Sequence, residues 1–333
     1  MRTISWREGK ITLLDQTALP HTVQELEIVD YRDLINAIKR LAVRGAPALG
    51  VAGAYGVALI LHNAAKENWS MERIDSAIAE LREARPTAVN LAWGVDQMKS
   101  IVPQGFAKVL ARAEEIASED ARANRAMGKH GADFLMNKCG ERKLRILTHC
   151  NTGALATTEW GTALGVVREL ANRSYIEEVL ADETRPLLQG ARLTAWELSE
   201  AKIPYRLLPD GAAASALFAG LVDAVVIGAD RITRNGDTAN KIGSLGVAVA
   251  ASQVKVPFLV VAPESTIDRS LETGAEIEIE FRSDAEVTHF GGVSTAPVGT
   301  RTYNPAFDVT PVRYISAIVT EKRVYEMGNG TTL

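Results

Sequence analysis

Cysteine is scarce in this chain of 333 residues: there are two, Cys139 and Cys150. They show no CxxC spacing, so neither a disulfide framework nor a thiolate zinc site is expected. Both read as reduced thiols of a cytoplasmic protein. Histidine is also sparse. His21, His62, His130, His149 and His289 form neither HExxH nor HxH, and no metal is expected. No GxGxxG follows a strand pattern, which argues against a nicotinamide cofactor, and there is no Walker A sequence and no GxSxG elbow. Basic residues form no dense run and the net charge is −4, so a nucleic-acid partner is not expected. No run approaches the roughly 20 apolar residues of a membrane helix. Met1–Trp6 lacks the apolar stretch of a secretory leader.

The content is that of an ordinary globular protein, 47% hydrophobic and 23% charged. The length suggests about two domains, with expected bounds 1–125 and 126–333. Lys10–Leu14 and Val23–Val29 alternate in the manner of strands and predict a small antiparallel unit. From Tyr31 to about Met136 the pattern is helical. Asp30 and Ser70 are placed to cap helices, Pro47 to open one in its first turn, and Pro86 to break a boundary. Residues 106–136 predict one long helix or two. The glycine cluster Gly50-Val51-Ala52-Gly53-Ala54-Tyr55-Gly56 falls in a helical pattern and reads as a surface for close packing.

Near Lys143 the texture changes. Short apolar runs at 144–149, 176–181, 204–208, 223–228 and 257–262 alternate with helix-length segments at 161–171, 189–201, 211–220 and 241–254. This spacing predicts βαβ units and a Rossmann-like parallel sheet. The fold class is therefore α/β, a small antiparallel sheet with helices followed by a parallel sheet. Residues 282–310 read as surface loop, with a last element at 312–320.

Two residues stand out. Cys150 ends the run Leu144–His149 and Asp230 follows the run Ala224–Ala229, and a helix-like segment comes after each. Ligands of open α/β sheets gather at the carboxyl ends of strands. A thiol and a carboxylate there suit acid/base chemistry, and a helix start nearby activates a thiol. A buried lone cysteine is otherwise inert packing, and an aspartate after a strand is otherwise a loop cap. His149 and Cys150 point to opposite faces of the strand, which makes His149 structural. Arg44-Gly45-Ala46-Pro47, Arg85-Pro86 and Asn240-Lys241 each place a basic residue at a helix start, the arrangement that receives an anion. The alternative at each is a solvated side chain.

Taken together, several segments resemble methylthioribose-1-phosphate isomerases, in the superfamily shared with the regulatory subunits of translation initiation factor 2B. They are Arg44–Pro47, Arg85–Leu91, Leu147–Asn151, Gly161–Gly165, Asp182–Pro186, Gln189–Thr194, Gly228–Ile232, Ala239–Gly243 and Asn304–Pro311. The resemblance implies an aldose–ketose isomerase that converts 5-methylthioribose 1-phosphate to 5-methylthioribulose 1-phosphate in methionine salvage. It implies Cys150 and Asp230 as the catalytic pair, and Arg44, Gly45, Ala46, Arg85, Gln189, Asn240 and Lys241 as contacts to the sugar phosphate. It also implies a homodimer and no metal or cofactor. The chain departs from the family pattern at Thr152, at Thr158-Glu159-Trp160 and at Pro209–Ser215. Those departures bear on the 5-substituent, so a 5-deoxyribose-1-phosphate isomerase is the nearest alternative. A non-catalytic subunit that senses a sugar phosphate or nucleotide is the alternative from another class.

Overall fold

The computed structural model describes residues 2–86, 88–328, 331 and 333. Thr87, inside the Arg85–Leu91 segment, lies outside them. Strands β1 (Ile4–Arg7), β2 (Lys10–Leu14) and β3 (Glu25–Ile28) form an antiparallel sheet in that order. The register sets Ile4 against Leu13 and Ile11 against Ile28. All four are buried, so one face of the sheet closes on the core. β1 is absent from the expectation. It pairs with β2 across Glu8 and Gly9, both of which have positive φ.

Helix α1 (Tyr31–Lys39) is capped by the Asp30 carboxylate, which accepts the Arg32 N–H. Helix α2 (Ala46–Glu67) has Pro47 in its first turn, and α3 (Met71–Arg82) is capped by the Ser70 hydroxyl. Helices α4 (Val89–Asp96) and α5 (Phe106–Cys139) follow. α2 is long and apolar enough to cross a membrane by length and composition, which corrects the sequence expectation. Most of its apolar window is buried inside the protein, so it serves as a core helix. Its glycines admit α4: a Cβ on Gly94 would stand 2.0 Å from the Gly50 carbonyl oxygen. The close packing read from the glycine cluster is what the two helices do.

The second half begins with β4 (Leu144–Thr148), α6 (Ala163–Asn172) and β5 (Ile176–Asp182). A π-helical turn at Gly190–Thr194 leads into α7 (Ala195–Glu200). Then come β6 (Tyr205–Leu208), α8 (Ala212–Phe218), β7 (Ala224–Ile227), β8 (Arg231–Thr233), β9 (Thr238–Lys241), α9 (Ser244–Gln253) and β10 (Phe258–Val261). The chain continues through β11 (Ile267–Asp268), α10 (Ala285–Thr288), β12 (His289–Phe290), β13 (Val293–Ser294), β14 (Phe307–Thr310), β15 (Ala317–Val319) and β16 (Val324–Glu326).

Seven strands form one sheet, ordered β16-β15-β10-β7-β4-β5-β6. The pairs from β15 to β6 are all parallel, and β15–β16 is antiparallel. The α/β class holds, but the sheet is mixed rather than purely parallel. The cause is the short link after β15, closed by the Thr320 N–H on the Arg323 carbonyl. A link that short joins only antiparallel neighbours. Numbered along the chain, the six parallel strands lie in the order 3-2-1-4-5-6, which reverses between β4 and β7. A four-stranded sheet, β11-β8-β9-β14, has no counterpart in the expected pattern. β14 lies in the segment expected to be loop, and it forms by antiparallel pairing of Phe307–Thr310 with Thr238–Lys241.

The chain divides into two compact units, Met1–Ala126 with Thr152–Gly165, and Met127–Asn151 with Val166–Leu333. The division falls within α5 and within α6. Residues 152–165 belong to the first unit through long-range bonds: the Thr3 N–H donates to the Thr158 carbonyl at 3.0 Å, and the Gln16 amide to the Leu155 carbonyl at 2.6 Å.

Candidate active site

In the second unit, Cys150 sits two residues beyond β4 and Asp230 three beyond β7. These are the two neighbouring strands at which the order reverses, the place where open α/β sheets bind ligands. Cys150 is buried and has a φ of +64°, a left-handed conformation that few residues other than glycine adopt. Two threonine hydroxyls engage its backbone. Thr184 Oγ1 accepts the Cys150 N–H at 2.9 Å, and Thr194 Oγ1 donates to the Cys150 carbonyl at 2.7 Å. Thr184 also has positive φ and donates to the Asp182 carbonyl. Non-glycine residues with positive φ concentrate where function over-determines the backbone.

The next residue is anchored too. The Asn151 amide donates to Glu197 Oε1 at 2.9 Å, and Arg168 pairs with Glu197 Oε2 at 3.0 Å. Glu197 is buried, and the arginine meets a charge that would otherwise be costly to bury.

Gln189 directly precedes the π-helical turn, a feature that recurs at functional sites. It is buried, and its Oε1 has no hydrogen-bond partner among the described residues. Gly190 follows because nothing larger fits: a Cβ there would lie 1.6 Å from the Asp182 carbonyl oxygen.

Asp230 is half-buried, and its N–H is held by the Ala239 carbonyl at 2.9 Å. Asn240 and Lys241 end β9. The Asn240 amide donates to Ser244 Oγ at 2.9 Å. Lys241 Nζ donates to the Ala306 carbonyl at 2.9 Å and lies 4.4 Å from the centre of the Phe307 ring. Asp308, on β14, accepts the N–H groups of Gly243 (2.8 Å) and Leu245 (3.1 Å) at the start of α9. Burial pushes the Asp308 carboxyl up, against these bonds.

His149 is fully buried. Its Nδ1 faces Asp182 Oδ2 at 2.9 Å and its Nε2 faces the Ile242 carbonyl at 2.8 Å. His149, Asp182 and Asp210 place one donor atom each within 4.8 Å of one another. Those atoms are engaged, however: Asp210 accepts the N–H groups of Thr184 and Arg185, and both His149 nitrogens are bonded. The cluster is a hydrogen-bond centre.

The first unit carries the other expected contacts. Arg44 and Arg85 are half-buried. Gly45 has a φ of +93°, and a Cβ there would meet the Ala156 carbonyl oxygen at 2.5 Å, so the turn into α2 admits only glycine. Cys139, the second thiol, is partly buried near the Asp223 carbonyl, away from the strand ends, and burial pushes its thiol up.

Sequence reading gave no role to Glu197 or to the buried link from His149 to Ile242, and none to Thr194 or Asp210, although Thr194 lies in a segment that carries the resemblance and Asp210 in one that departs from it. Asp182, Thr184 and Asp308 lie in segments that carry the resemblance. Glu197 had no signal, since a glutamate in a helical pattern reads as solvated.

Fold and strand-end geometry define an open α/β protein with its candidate site where the order of the parallel strands reverses. The family described as "Initiation factor 2 subunit family" matches residues 42–326. The chain is 50% identical over 323 residues to a probable bifunctional methylthioribose-1-phosphate isomerase/methylthioribulose-1-phosphate dehydratase of Nocardia farcinica, covering 97% of this chain and 58% of that protein. It is 47% identical over 331 residues to a 5-deoxyribose 1-phosphate isomerase of Moorella thermoacetica, covering 96% of this chain and 93% of that one. Among solved structures, a 5-methylthioribose 1-phosphate isomerase of Pyrococcus horikoshii gives a TM-score of 0.88 at 39% identity, over 98% of this chain and 92% of the other. A translation initiation factor eIF-2B subunit delta of A. fulgidus gives 0.86 at 40%, over 98% and 96%. The chain belongs to the methylthioribose-1-phosphate isomerase/initiation factor 2B-like superfamily.

Proposed function

We propose that this protein is an aldose–ketose isomerase that converts 5-methylthioribose 1-phosphate to 5-methylthioribulose 1-phosphate, with Cys150 and Asp230 as its catalytic pair. The observation that carries the reading is the placement of these two residues beyond β4 and β7, the strands that flank the reversal of order in the sheet. The isomerase names of the Nocardia and Pyrococcus proteins support it.

The chemistry accounts for the residue types. The C1 phosphate blocks spontaneous ring opening, so an acid must protonate the ring oxygen as the C1–O bond breaks. Asp230 takes that role and then receives the C2 hydroxyl proton, acting as general acid and base in turn. Hydrogen moves from C2 to C1 by one of two routes. In the first, Cys150 removes the C2 proton and returns it to C1 through an enediol. In the second, hydride shifts directly in a site that Cys150 helps keep dry. Substrate and product share one oxidation level, so the reaction calls for no external hydride carrier, and no metal or cofactor is proposed. Arg44, Arg85 and Lys241, with the amides of Gly45 and Ala46 and the side chains of Asn240 and Gln189, are assigned to hold the sugar phosphate.

A second reading, 5-deoxyribose 1-phosphate as substrate, is favoured by the Moorella relative, named for that reaction. One thioether group alters pocket discrimination by only about 1–3 kcal/mol. We further propose a cytoplasmic homodimer. Phe290 and Val293, cross-strand partners on the β12–β13 hairpin, are both exposed, which supports a surface covered in the assembly.

The test is turnover of both sugar phosphates side by side, without added metal or nucleotide. Higher kcat/KM on the methylthio compound supports the main reading, and preference for the deoxy compound supports the second. Turnover of neither would point to a non-catalytic regulatory subunit.

A further inference from the structure

We infer that His149 is a positioning residue, held as an imidazolium, that ties the turn carrying Asn240 and Lys241 to the strand end carrying Cys150. The inference rests on the proposed role of Asn240 and Lys241 as sugar-phosphate contacts.

The geometry restricts the protons. Ile242 presents a carbonyl oxygen, which only accepts, so Nε2 carries a hydrogen. Nδ1 faces Asp182 Oδ2, so the ring is charged unless the proton sits on Asp182. Three carboxyl groups from separate elements act on this ring: Asp182 at the end of β5, Asp210 just after β6, and Asp308 on β14. Asp210 and Asp308 each accept two backbone N–H groups, which fixes both carboxyl groups in place beside the ring. Burial alone would lower His149. The Asp182 hydrogen bond and the Asp182 and Asp210 charges outweigh it and hold the imidazole above its ordinary value. Burial also pushes Asp182 up. With three carboxyl groups facing one imidazole, the proton stays on the ring.

The tie is steric as well as polar. Gly243 has a φ of +109°, and a Cβ there would meet the imidazole at 2.8 Å. The ring therefore packs on the backbone of the turn while bonding Ile242 one residue earlier. Two residues before Ile242 is Asn240, whose amide is locked to Ser244 Oγ, and Ser244 Oγ donates to the Lys241 carbonyl. A change in the ring thus moves the proposed phosphate contacts before it alters the thiol.

Kinetics and ring nitrogen spectroscopy test this together. In His149→Asn the shorter amide reaches Asp182 and not Ile242. Its KM for the sugar phosphate rises about tenfold, the equivalent of one lost hydrogen bond, while kcat changes less. His149→Gln reaches Ile242 and brings KM back toward wild type. In the unsubstituted protein, with histidine nitrogens labelled, the His149 ring shows two protonated nitrogens at pH 7.5. This spectrum does not depend on any variant folding. A neutral ring at that pH, or an unchanged KM in His149→Asn, overturns the inference. A wild-type protein that turns over neither sugar phosphate fails the functional reading instead. The tie is then decided by hydrogen exchange of the Lys241–Leu245 amides: acceleration in His149→Asn supports it, and unchanged exchange overturns it.

Discussion

The Thr184 hydroxyl accepts the Cys150 backbone N–H at 2.9 Å, and both residues lie in the left-handed region of backbone space. Two consecutive strand ends, after β4 and β5, thus hold each other in uncommon conformations. Thr184→Val keeps the shape and removes the acceptor, leaving a buried N–H unpaired. We expect a loss of about 1–3 kcal/mol in stability and a fall in kcat, with Thr184→Ser restoring both. Denaturant unfolding and turnover of the three proteins measure this. An unchanged Thr184→Val would mean that the hydroxyl does not hold Cys150.

Cys150→Ser keeps size and loses thiol reactivity, and turnover should drop by about 100-fold or more while ligand binding persists. Asp230→Asn removes the titratable proton, and the loss should be about a thousandfold with little change in melting temperature. Calorimetric binding and single-turnover rates separate the two effects. Wild-type rates in either variant would remove that residue from the mechanism.

Arg85→Ala should raise KM about tenfold or more with kcat nearly preserved, because a charged hydrogen bond to phosphate is worth about 1.5–3 kcal/mol. Initial rates across substrate concentration test it. A KM equal to wild type would take Arg85 out of the phosphate site.

Asp223 lies before β7 and accepts from the Arg145 N–H, Nε and Nη2 and from Arg142 Nη2, at 2.8–3.0 Å. Burial would raise its carboxyl, but the arginines outweigh it and hold it well below the ordinary 3.8. A depressed carboxylate contributes stability that is complete above its unfolded value and lost as pH falls through the folded one. Asp223→Asn should therefore cost about 2 kcal/mol at neutral pH, and its deficit should shrink as pH drops below about 4. Urea midpoints at several pH values measure this, and a deficit constant with pH would refute the linkage.

Gly94→Ala tests the α2–α4 contact. Its Cβ would stand 2.0 Å from the Gly50 carbonyl oxygen, a backbone atom that cannot rotate away. We expect a loss of about 3 kcal/mol. Gly246→Ala, inside α9, is the control for space, because a Cβ at Gly246 meets nothing within 4 Å and its backbone is helical. Equal melting temperatures for wild type and Gly94→Ala would show that the helices separate easily.

Much of the fold was legible locally. The runs that became β4, β5, β6, β7 and β10 are each apolar, short and bounded by turn residues, and they form within a residue or two of the expected positions. Asp30, Pro47 and Ser70 act at helix starts as their chemistry dictates. β14 and β16 escaped because neither carries its own pattern. Phe307–Thr310 is a strand only because Thr238–Lys241 pairs with it, and Val324–Glu326 only because the chain turns back on β15.

The candidate site divides in the same way. Sequence alone set Cys150 and Asp230 at the ends of strands, since a β-branched run followed by a polar residue is a local statement. It also marked Gly50, Gly53 and Gly56 as a helical surface for close packing. Tertiary structure decided the rest: that β4 and β7 are neighbours, that Thr184 and Thr194 engage Cys150, that Glu197 is buried under Asn151, and that His149 reaches Ile242. Periodicity records how a segment faces water. It holds no information about which distant segment supplies the matching hydrogen bond, and that choice is made only when the whole chain closes on itself.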